Sequence, residues 1–261
     1  MQYTIRDIKP LEIILSMCKD LQVDAVPLFL TRTGIQFQVM GVTQTSLLDV
    51  KLKIPADTFP TDDIEGRICL FVSPLTKVIQ LINTTGCYMV LTYDNSDNVL
   101  VEGINTKDNA HKLNFEMNLM EFDSDRLVPE SLGENIYRFN MDTLVDLKSS
   151  LDGYARSTVD ARAVLGSRIK FVSFEDRIDV MSVDGEFKET LYRVPVQAEK
   201  FSSNIFQLFS SVILSSIITH MHKLKAVGMA MRFTHNQPIQ FQYESEQLEL
   251  NCYAAPLIED D

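Results

Sequence analysis

Residues 67–106, RICLFVSPLTKVIQLINTTGCYMVLTYDNSDNVLVEGINT, decide the fold because they contain most of one structural unit. An extended apolar segment leads into one helix, and strands are predicted at 87–93 and 99–104 with the polar turn 94–97 between them, followed by a third strand at 112–120. The helix is predicted from apolar residues that recur at helical spacing: Leu75, Val78, Ile79 and Ile82. Its outer face is polar: Thr76, Lys77, Gln80 and Asn83. Ser73 is the predicted N-cap, and Pro74 fits the first helical position, where no N–H is needed.

The same unit occurs four times along the chain, in copies that begin near Tyr3, Arg67, Ile136 and Phe201. The repeat is therefore about 60 residues long. Because a single amphipathic helix cannot bury its apolar face alone, each unit must pack against its neighbours. The stretch 121–130 breaks the pattern with several acids and no helical or strand period, and it predicts an extended connector between two halves.

The other three helices are predicted from the same periodicity. The first has Pro10 at its start and an inward stripe of Leu11, Ile14, Leu15 and Cys18. The third has an inward stripe of Leu144, Leu147 and Leu151. The fourth is predicted over 203–218, with an inward stripe of Leu208, Phe209, Val212 and Ile213. Its predicted exposed residues are Gln207, Ser210, Ser211, Ser215 and Ser216.

Composition narrows the class of protein. The 261 residues are 45% hydrophobic, which supports one large domain or two ordinary ones. No apolar run approaches the length of about 20 residues that a membrane span needs, and the N-terminal sequence lacks the apolar core of a signal peptide, so we expect an intracellular protein. Four cysteines without C-x-x-C spacing predict buried free thiols: Cys18, Cys69, Cys87 and Cys252. The net charge of −12 argues against nucleic acid at face value, but a mean charge does not say where the acids lie.

The predicted outer faces of the helices are small, polar and poor in charge. Each carries one lysine late in or just beyond the helix: Lys19, Lys77, Lys148 and Lys223. Ordinary solvent-exposed helix faces are rich in Glu–Lys pairs. Two explanations stay open at this point: loops partly cover the helices, or the helices line something negatively charged and close.

Three other stretches are more specific. The first is Lys19-Asp20-Leu21 followed by GIQFQVM at 34–40 and Ser46-Leu47-Leu48. The second is FEMNLMEFD at 115–123 running into LVPE at 127–130, and the third is YAAPLIEDD at 253–261. In this order, on a fourfold repeat, they resemble the DNA sliding clamps of the proliferating cell nuclear antigen family.

The resemblance implies an α+β DNA clamp fold with two similar domains, each having two helices on antiparallel sheets. The implied bounds are an N-terminal domain at 1–120, an interdomain connector at 121–134 and a C-terminal domain at 135–261. Subunits of the family, commonly three, form a ring around duplex DNA, with the helices lining the hole. The implied DNA-facing residues are Lys19, Lys77, Lys148 and Lys223. Positions that are basic in the family are here Glu12, Ile13 and Gln80, which predicts weak contact with DNA.

The resemblance also implies a pocket beneath the connector that accepts a short peptide with aromatic anchors from polymerases and other partner enzymes. The matching residues are Met40, Gln44, Thr45, Leu47, Leu127, Val128, Pro129, Pro238, Tyr253, Ala255, Pro256 and Ile258. The alternative is that these apolar residues simply close two small cores. Ring subunits would join edge to edge through 112–120 and 187–194, with Phe115, Met117, Leu191 and Tyr192 at the interface.

The implied function is that of a processivity factor, partnered by duplex DNA, a DNA polymerase, a clamp loader and further copies of itself, without membrane contact. No nucleotide-binding, serine-hydrolase or zinc-protease motif is present, so we expect no enzyme activity, cofactor or metal. His220 and His222 with His235 are too sparse to predict a metal site. The expected location is the nucleus in a eukaryotic host, and otherwise the cytoplasm. The alternatives are a subunit of a heteromeric checkpoint clamp and a viral clamp of late transcription.

Overall fold

The computed structural model describes residues 1–60, 66–107, 111–122, 127, 133–157, 168–183 and 191–257. Within them the chain repeats one strand, one helix and three strands four times, as predicted. The first copy comprises β1 (Gln2–Ile5), α1 (Lys9–Asp20), β2 (Ala25–Thr31), β3 (Gly34–Met40) and β4 (Ser46–Leu52). The second comprises β5 (Gly66–Phe71), α2 (Val72–Thr84), β6 (Cys87–Thr92), β7 (Asn98–Asn105) and β8 (His111–Asn118).

The second half of the chain follows the same order. The third copy comprises β9 (Asn135–Phe139), α3 (Met141–Ser157), β10 (Arg168–Ser173), β11 (Arg177–Ser182) and β12 (Leu191–Pro195). The fourth is preceded by the short β13 (Ala198–Lys200) and comprises β14 (Ile205–Ser210), α4 (Ser211–Lys223), β15 (Met229–Phe233), β16 (Ile239–Glu244) and β17 (Leu248–Ala254).

The chain divides into two compact units. Unit 1 consists of Met1–Val42, Asp49–Leu127 and Ser245–Leu250. One of its sheets has the antiparallel order β1-β6-β7-β8, and β4, β3, β2 and β5 lie side by side in the other. Helices α1 and α2 pack against each other. The predicted stripe of α1 is confirmed, since Leu11, Ile14, Leu15 and Cys18 are all buried.

Unit 2 consists of Thr43–Leu48, Val128–Glu244 and Asn251–Asp261. One sheet has the order β12-β11-β10-β14, and the other contains β13, β9, β15, β16 and β17 side by side. Helices α3 and α4 pack against each other, and the predicted stripe of α3 is confirmed by complete burial of Leu144, Leu147 and Leu151. Strands β4 and β17 contribute residues to both units.

Helix α2 differs from its prediction in two ways. It begins at Val72, whose N–H donates to the Asp24 carbonyl (2.8 Å), and Ser73 lies inside its first turn rather than capping it. Pro74 is still in that first turn, where an N–H has no helical partner. Thr76 was predicted on the outer face but is buried. Its hydroxyl donates to the Val72 carbonyl (2.7 Å), so its hydrogen-bonding capacity is satisfied away from water.

The predicted start of the fourth helix is wrong, since residues 205–210 form β14 and α4 begins only at Ser211. Two features stop a helix here. Strand β14 pairs along its length with β10, and the Asn135 amide holds the backbone just before it. Its nitrogen donates to the Ser203 carbonyl (2.7 Å), and its oxygen accepts from the Ser202 N–H (2.8 Å). Ser210 then caps α4 by accepting from the Ile213 N–H (3.4 Å).

This shift moves the faces of the fourth copy. Four residues predicted to be exposed are buried instead: Gln207, Ser210, Ser211 and Ser216. Ser215 is half-buried. Conversely, Val212 was predicted to point inward and is 40% exposed. Leu208, Phe209 and Ile213 are buried as predicted, although the first two are strand residues.

The remaining expectations have mixed outcomes. All four cysteines are buried free thiols, as predicted, and burial raises the pKa of Cys18 to about 12. The predicted edge strand at 112–120 agrees to within two residues with β8 at His111–Asn118. Most of the connector, residues 158–167 and the start of the predicted edge at 187–190 lie outside the described residues. None of the helices in the described part of the chain is long and apolar enough to cross a membrane.

Candidate functional site

Three of the four predicted DNA-facing lysines are exposed. Lys19 lies in the last turn of α1, Lys77 lies in α2, and Lys223 is the last residue of α4. Lys148 on α3 is different, because it is half-buried and forms an ion pair with Asp152 one turn later on the same helix. The exposed lysines can meet an anion directly, whereas Lys148 must first leave its carboxylate partner.

The helices are far less acidic than the chain as a whole. Together they carry six basic and five acidic residues, although the chain has a net charge of −12. The acidic excess therefore lies entirely outside the helices. The distribution is uneven, since α2 and α4 each have one lysine and no acid, whereas α3 has three aspartates against Lys148 and Arg156.

The exposed residues of the helices also include aliphatic side chains. Leu81 of α2 is 44% exposed, and Val145 of α3 and Val212 of α4 are each 40% exposed. On α1, the Glu12 carboxylate accepts a hydrogen bond from the Asn83 side chain of α2 (2.6 Å), so this acidic group has a partner within unit 1. Surfaces of this kind allow a polyanion to approach without fixing it in strong ion pairs.

Residues 120, 122 and 127, at the start of the connector and just before it, contact three neighbouring strands of unit 1 in turn: β5, β2 and β3. The Met120 N–H donates to the Cys69 carbonyl of β5 (3.0 Å). The ring of Phe122 meets Phe29 of β2 edge-on, with centroids 6.3 Å apart. Leu127 then pairs with Gln38 of β3. Its N–H donates to Gln38 Oε1 (2.7 Å), and Gln38 Nε2 donates to its carbonyl (2.8 Å).

The predicted peptide-pocket residues of unit 1 have exposed apolar side chains. Met40 at the end of β3 is 40% exposed, and Leu127 is 49% exposed. Gln38 was missed by sequence reasoning, although it lies two positions before Met40. The signal was the alternation in GIQFQVM, which places Gln36, Gln38 and Met40 on the less buried face of β3.

The predicted pocket residues of unit 2 are held by backbone and side-chain hydrogen bonds. Ala255 donates its N–H to the Thr45 carbonyl (2.7 Å), and the buried Tyr253 hydroxyl accepts from Gln240 Nε2 (3.1 Å). Gln44 is exposed and has a positive φ of 56°. Leu47 is buried, and Pro238 and Pro256 are half-buried. Val128, Pro129 and Ile258 lie outside the described residues.

Unit 2 also contains a cavity of about 420 Å³ that sequence reasoning largely missed. Its lining residues are Phe206, Gln207, Leu208, His235, Asn236, Pro256 and Leu257. Only Pro256 was predicted, because 203–210 had been interpreted as a helix. The C-terminal segment closes one side, where the Leu257 N–H donates to the Leu208 carbonyl (2.8 Å).

The buried amide of Gln207 shapes the rim of this cavity. In the orientation that satisfies both of its ends, its nitrogen donates to the Thr234 carbonyl (3.3 Å). Its oxygen then accepts from the Asn236 N–H (2.6 Å) and the Gln237 N–H (3.3 Å). A buried polar side chain of β14 therefore holds the 234–237 turn in place, which explains why Gln207 is not exposed as predicted.

The predicted interface residues lie on strands that end their sheets. In unit 1, β8 is the last strand of β1-β6-β7-β8, where Met117 is buried and Phe115 is half-buried. Both line a groove of about 530 Å³ beside the start of α2. In unit 2, β12 is the last strand of its sheet, and Leu191 and Tyr192 are 40% and 39% exposed.

The described residues contain no group of three metal-ligating side chains. His220 is fully buried in α4, and its Nδ1 lies 2.8 Å from the Ser216 carbonyl within the same helix.

Comparisons with known proteins agree with this architecture. The family model "Proliferating cell nuclear antigen, N-terminal domain" matches residues 7–126. A relative from Paramecium bursaria Chlorella virus 1, "Probable DNA polymerase sliding clamp 2", is 22% identical over 250 residues, which cover 92% of this chain and 84% of the relative. The crystal structure of proliferating cellular nuclear antigen from Entamoeba histolytica matches with a TM-score of 0.78 and 14% identity, over 98% of both chains. Residues 7–126 therefore belong to the proliferating cell nuclear antigen family as its N-terminal domain, and the whole chain has the fold of that family.

Proposed function

We propose that this chain is a sliding clamp, a non-enzymatic processivity factor that encircles duplex DNA and tethers a polymerase and other enzymes to it. The observation that carries the proposal is the pair of contacting helices in each unit, whose combined charge is close to neutral in a strongly acidic chain. The relative named as a DNA polymerase sliding clamp supports it over 92% of the chain.

Encirclement explains why the candidate DNA surface is so weakly basic. A ring is retained on DNA by topology, so its contacts to phosphate need not supply affinity, and strong ion pairs would only slow its sliding. Lys19, Lys77 and Lys223 are the proposed phosphate contacts. Lys148 is the weakest of the four because it is already paired with Asp152.

The proposed ring forms by edge-to-edge pairing of β8 in one copy with β12 in the next, around the interface residues Phe115, Met117, Leu191 and Tyr192. The end strand of a sheet presents backbone groups that can pair with the edge of another sheet. We keep the division into domains at 1–120 and 135–261, with the connector between them, as part of this proposal. Partner peptides would bind at the connector, near Met40 and Leu127.

Two measurements test the proposal. The mass in solution should be a multiple of the chain mass of 29.7 kDa, three times that mass for a homotrimer. With a clamp loader, the protein should be retained on nicked circular DNA and lost when the circle is cut, because the link is topological. A protein that binds linear and circular DNA equally well would refute encirclement. A stable monomer would instead favour the alternative of a heteromeric clamp subunit.

Location follows from the same proposal. A clamp must work where DNA is replicated, so we expect the nucleus in a eukaryotic host or for a virus that replicates there, and otherwise the cytoplasm. Labelled protein that does not overlap with sites of DNA synthesis would contradict this expectation.

A further inference from the structure

We propose that Gln38 is a positioning residue for partner binding, because its side-chain amide fixes the connector at Leu127 over β3. This inference rests on the proposed function, since it identifies what sets the geometry of the proposed peptide site. Gln38 itself need not touch the partner.

The side chain of Gln38 pairs with the backbone of Leu127 in the way that a neighbouring strand would. A primary amide carries a donor and an acceptor side by side, so it can satisfy the N–H and the carbonyl of one residue together. The two distances between Gln38 and Leu127, 2.7 and 2.8 Å, both lie within the range of good hydrogen bonds. Leu127 is thus held at both of its backbone groups.

The hydrogen bonds between Gln38 and Leu127 determine where the exposed Leu127 side chain lies. Gln38 and Met40 lie on the same face of β3, two residues or about 7 Å apart. Leu127 is held at Gln38 with its side chain 49% exposed, and Met40 is 40% exposed. The Gln38 amide therefore fixes Leu127 beside β3, two residues along the strand from Met40. The exposed side chains of Leu127 and Met40 together form a preformed apolar surface.

Gln38 restrains the connector at a described residue, Leu127. The preceding anchor among the described residues is Phe122 against Phe29, five positions before Leu127. A connector released from Gln38 would have to be ordered again at each binding event, and that ordering lowers affinity. Removing the amide should therefore weaken partner binding without unfolding the protein.

The test uses two variants of Gln38 and one matched control in the full-length protein. Gln38→Leu removes both hydrogen bonds at similar size. Gln38→Glu keeps the acceptor for the Leu127 N–H, but at neutral pH it places a carboxylate oxygen against the Leu127 carbonyl. Gln2→Leu is the control, because it makes the same substitution in unit 1 and removes a bond to Thr92 (3.4 Å) on the other sheet.

Two readouts are measured for each variant: affinity for a labelled clamp-binding peptide with aromatic anchors, and hydrogen exchange of the Leu127 amide. For Gln38→Leu we expect affinity to fall roughly tenfold and exchange to accelerate by a similar factor. The Gln2→Leu control should match the parent in both. Thermal melting and solution mass verify that each variant remains folded and assembled.

The pH profile of Gln38→Glu separates positioning from a general loss of structure. A protonated carboxyl again offers one donor and one acceptor, and the facing carbonyl favours protonation above the usual pKa of about 4.3. Its affinity relative to the parent should therefore rise as the pH falls from about 8 toward 5, whereas Gln38→Leu should show no such recovery.

Parent-like peptide affinity in Gln38→Leu, or unchanged exchange at Leu127, would overturn the inference. A parent protein that binds no such peptide would contradict the proposed function. In that case the exchange of the Leu127 amide still decides whether Gln38 anchors the connector.

Discussion

Truncation of Leu127 tests whether the connector contacts partner peptides. Its side chain is 49% exposed in the free chain, so about half of its surface remains to be buried by a partner. Full burial of a leucine side chain contributes about 1.5–3 kcal/mol, and the exposed half therefore holds about 1 kcal/mol. The Leu127→Ala variant should bind a clamp-type peptide about fivefold more weakly than the parent.

The assay is fluorescence anisotropy with a labelled peptide that carries two aromatic anchors. Val227→Ala is the matched control, because Val227 is 60% exposed in the loop after α4 and is not a candidate residue. The buried half of Leu127 contributes to folding, so we expect the free energy of unfolding to fall by about 1 kcal/mol. The solution mass should not change.

The outcome that refutes the reasoning is specific. If Leu127→Ala lowers stability as expected but binds the peptide as tightly as the parent and Val227→Ala, Leu127 is part of a small core and not of a binding surface. That result would revive the alternative in which the apolar residues near the connector only close the fold.

Three further predictions concern the helices and the core. Asp152→Asn should free Lys148 from its ion pair and raise the affinity for duplex DNA at low salt, measured by filter binding. The control Asp146→Asn changes the charge of α3 by the same amount and should raise the affinity less. Equal effects of the two variants would show that the ion pair is irrelevant. Asn135→Ala should lower the free energy of unfolding by about 2–3 kcal/mol in urea, since buried backbone partners are left unsatisfied; a loss below about 0.5 kcal/mol would contradict this. Cys18 should resist alkylation at pH 8 in the native state, because burial raises its thiol pKa to about 12 and little thiolate forms; rapid labelling without unfolding would contradict it.

Local periodicity was enough to predict three of the four helices. Each has one clear apolar stripe, and burial of that stripe agrees with the prediction at Leu15, Ile79 and Leu147. The start of the fourth helix was predicted wrongly because 205–218 is apolar at both helical and strand spacing, so periodicity alone could not separate strand β14 from helix α4. The choice was made by long-range contacts, the pairing of β14 with β10 and the Asn135 amide, which no local pattern contains.

The candidate site shows the same division between local and long-range information. Met40 and Leu127 were predicted through the resemblance, and their exposure is compatible with a binding role. Gln38 and the cavity beside Phe206 were missed, because each depends on residues distant in sequence: Gln38 bonds to a residue 89 positions away. Hydrogen bonds from a side-chain amide to a distant backbone segment produce no periodic pattern in the sequence.

A clamp with a net negative charge can still encircle DNA if its acidic residues lie away from the helices that face the duplex. Electrostatic attraction to DNA falls off within about 10 Å at ordinary ionic strength, so the acids outside the helices would act only weakly on a duplex that the helices face. What matters is the local balance, six basic against five acidic residues on the helices. That balance removes strong repulsion without creating strong attraction, so such a surface would tolerate a moving duplex but could not hold one by affinity. Retention would then have to come from closure of the ring, which is why cutting a circular template is the decisive experiment.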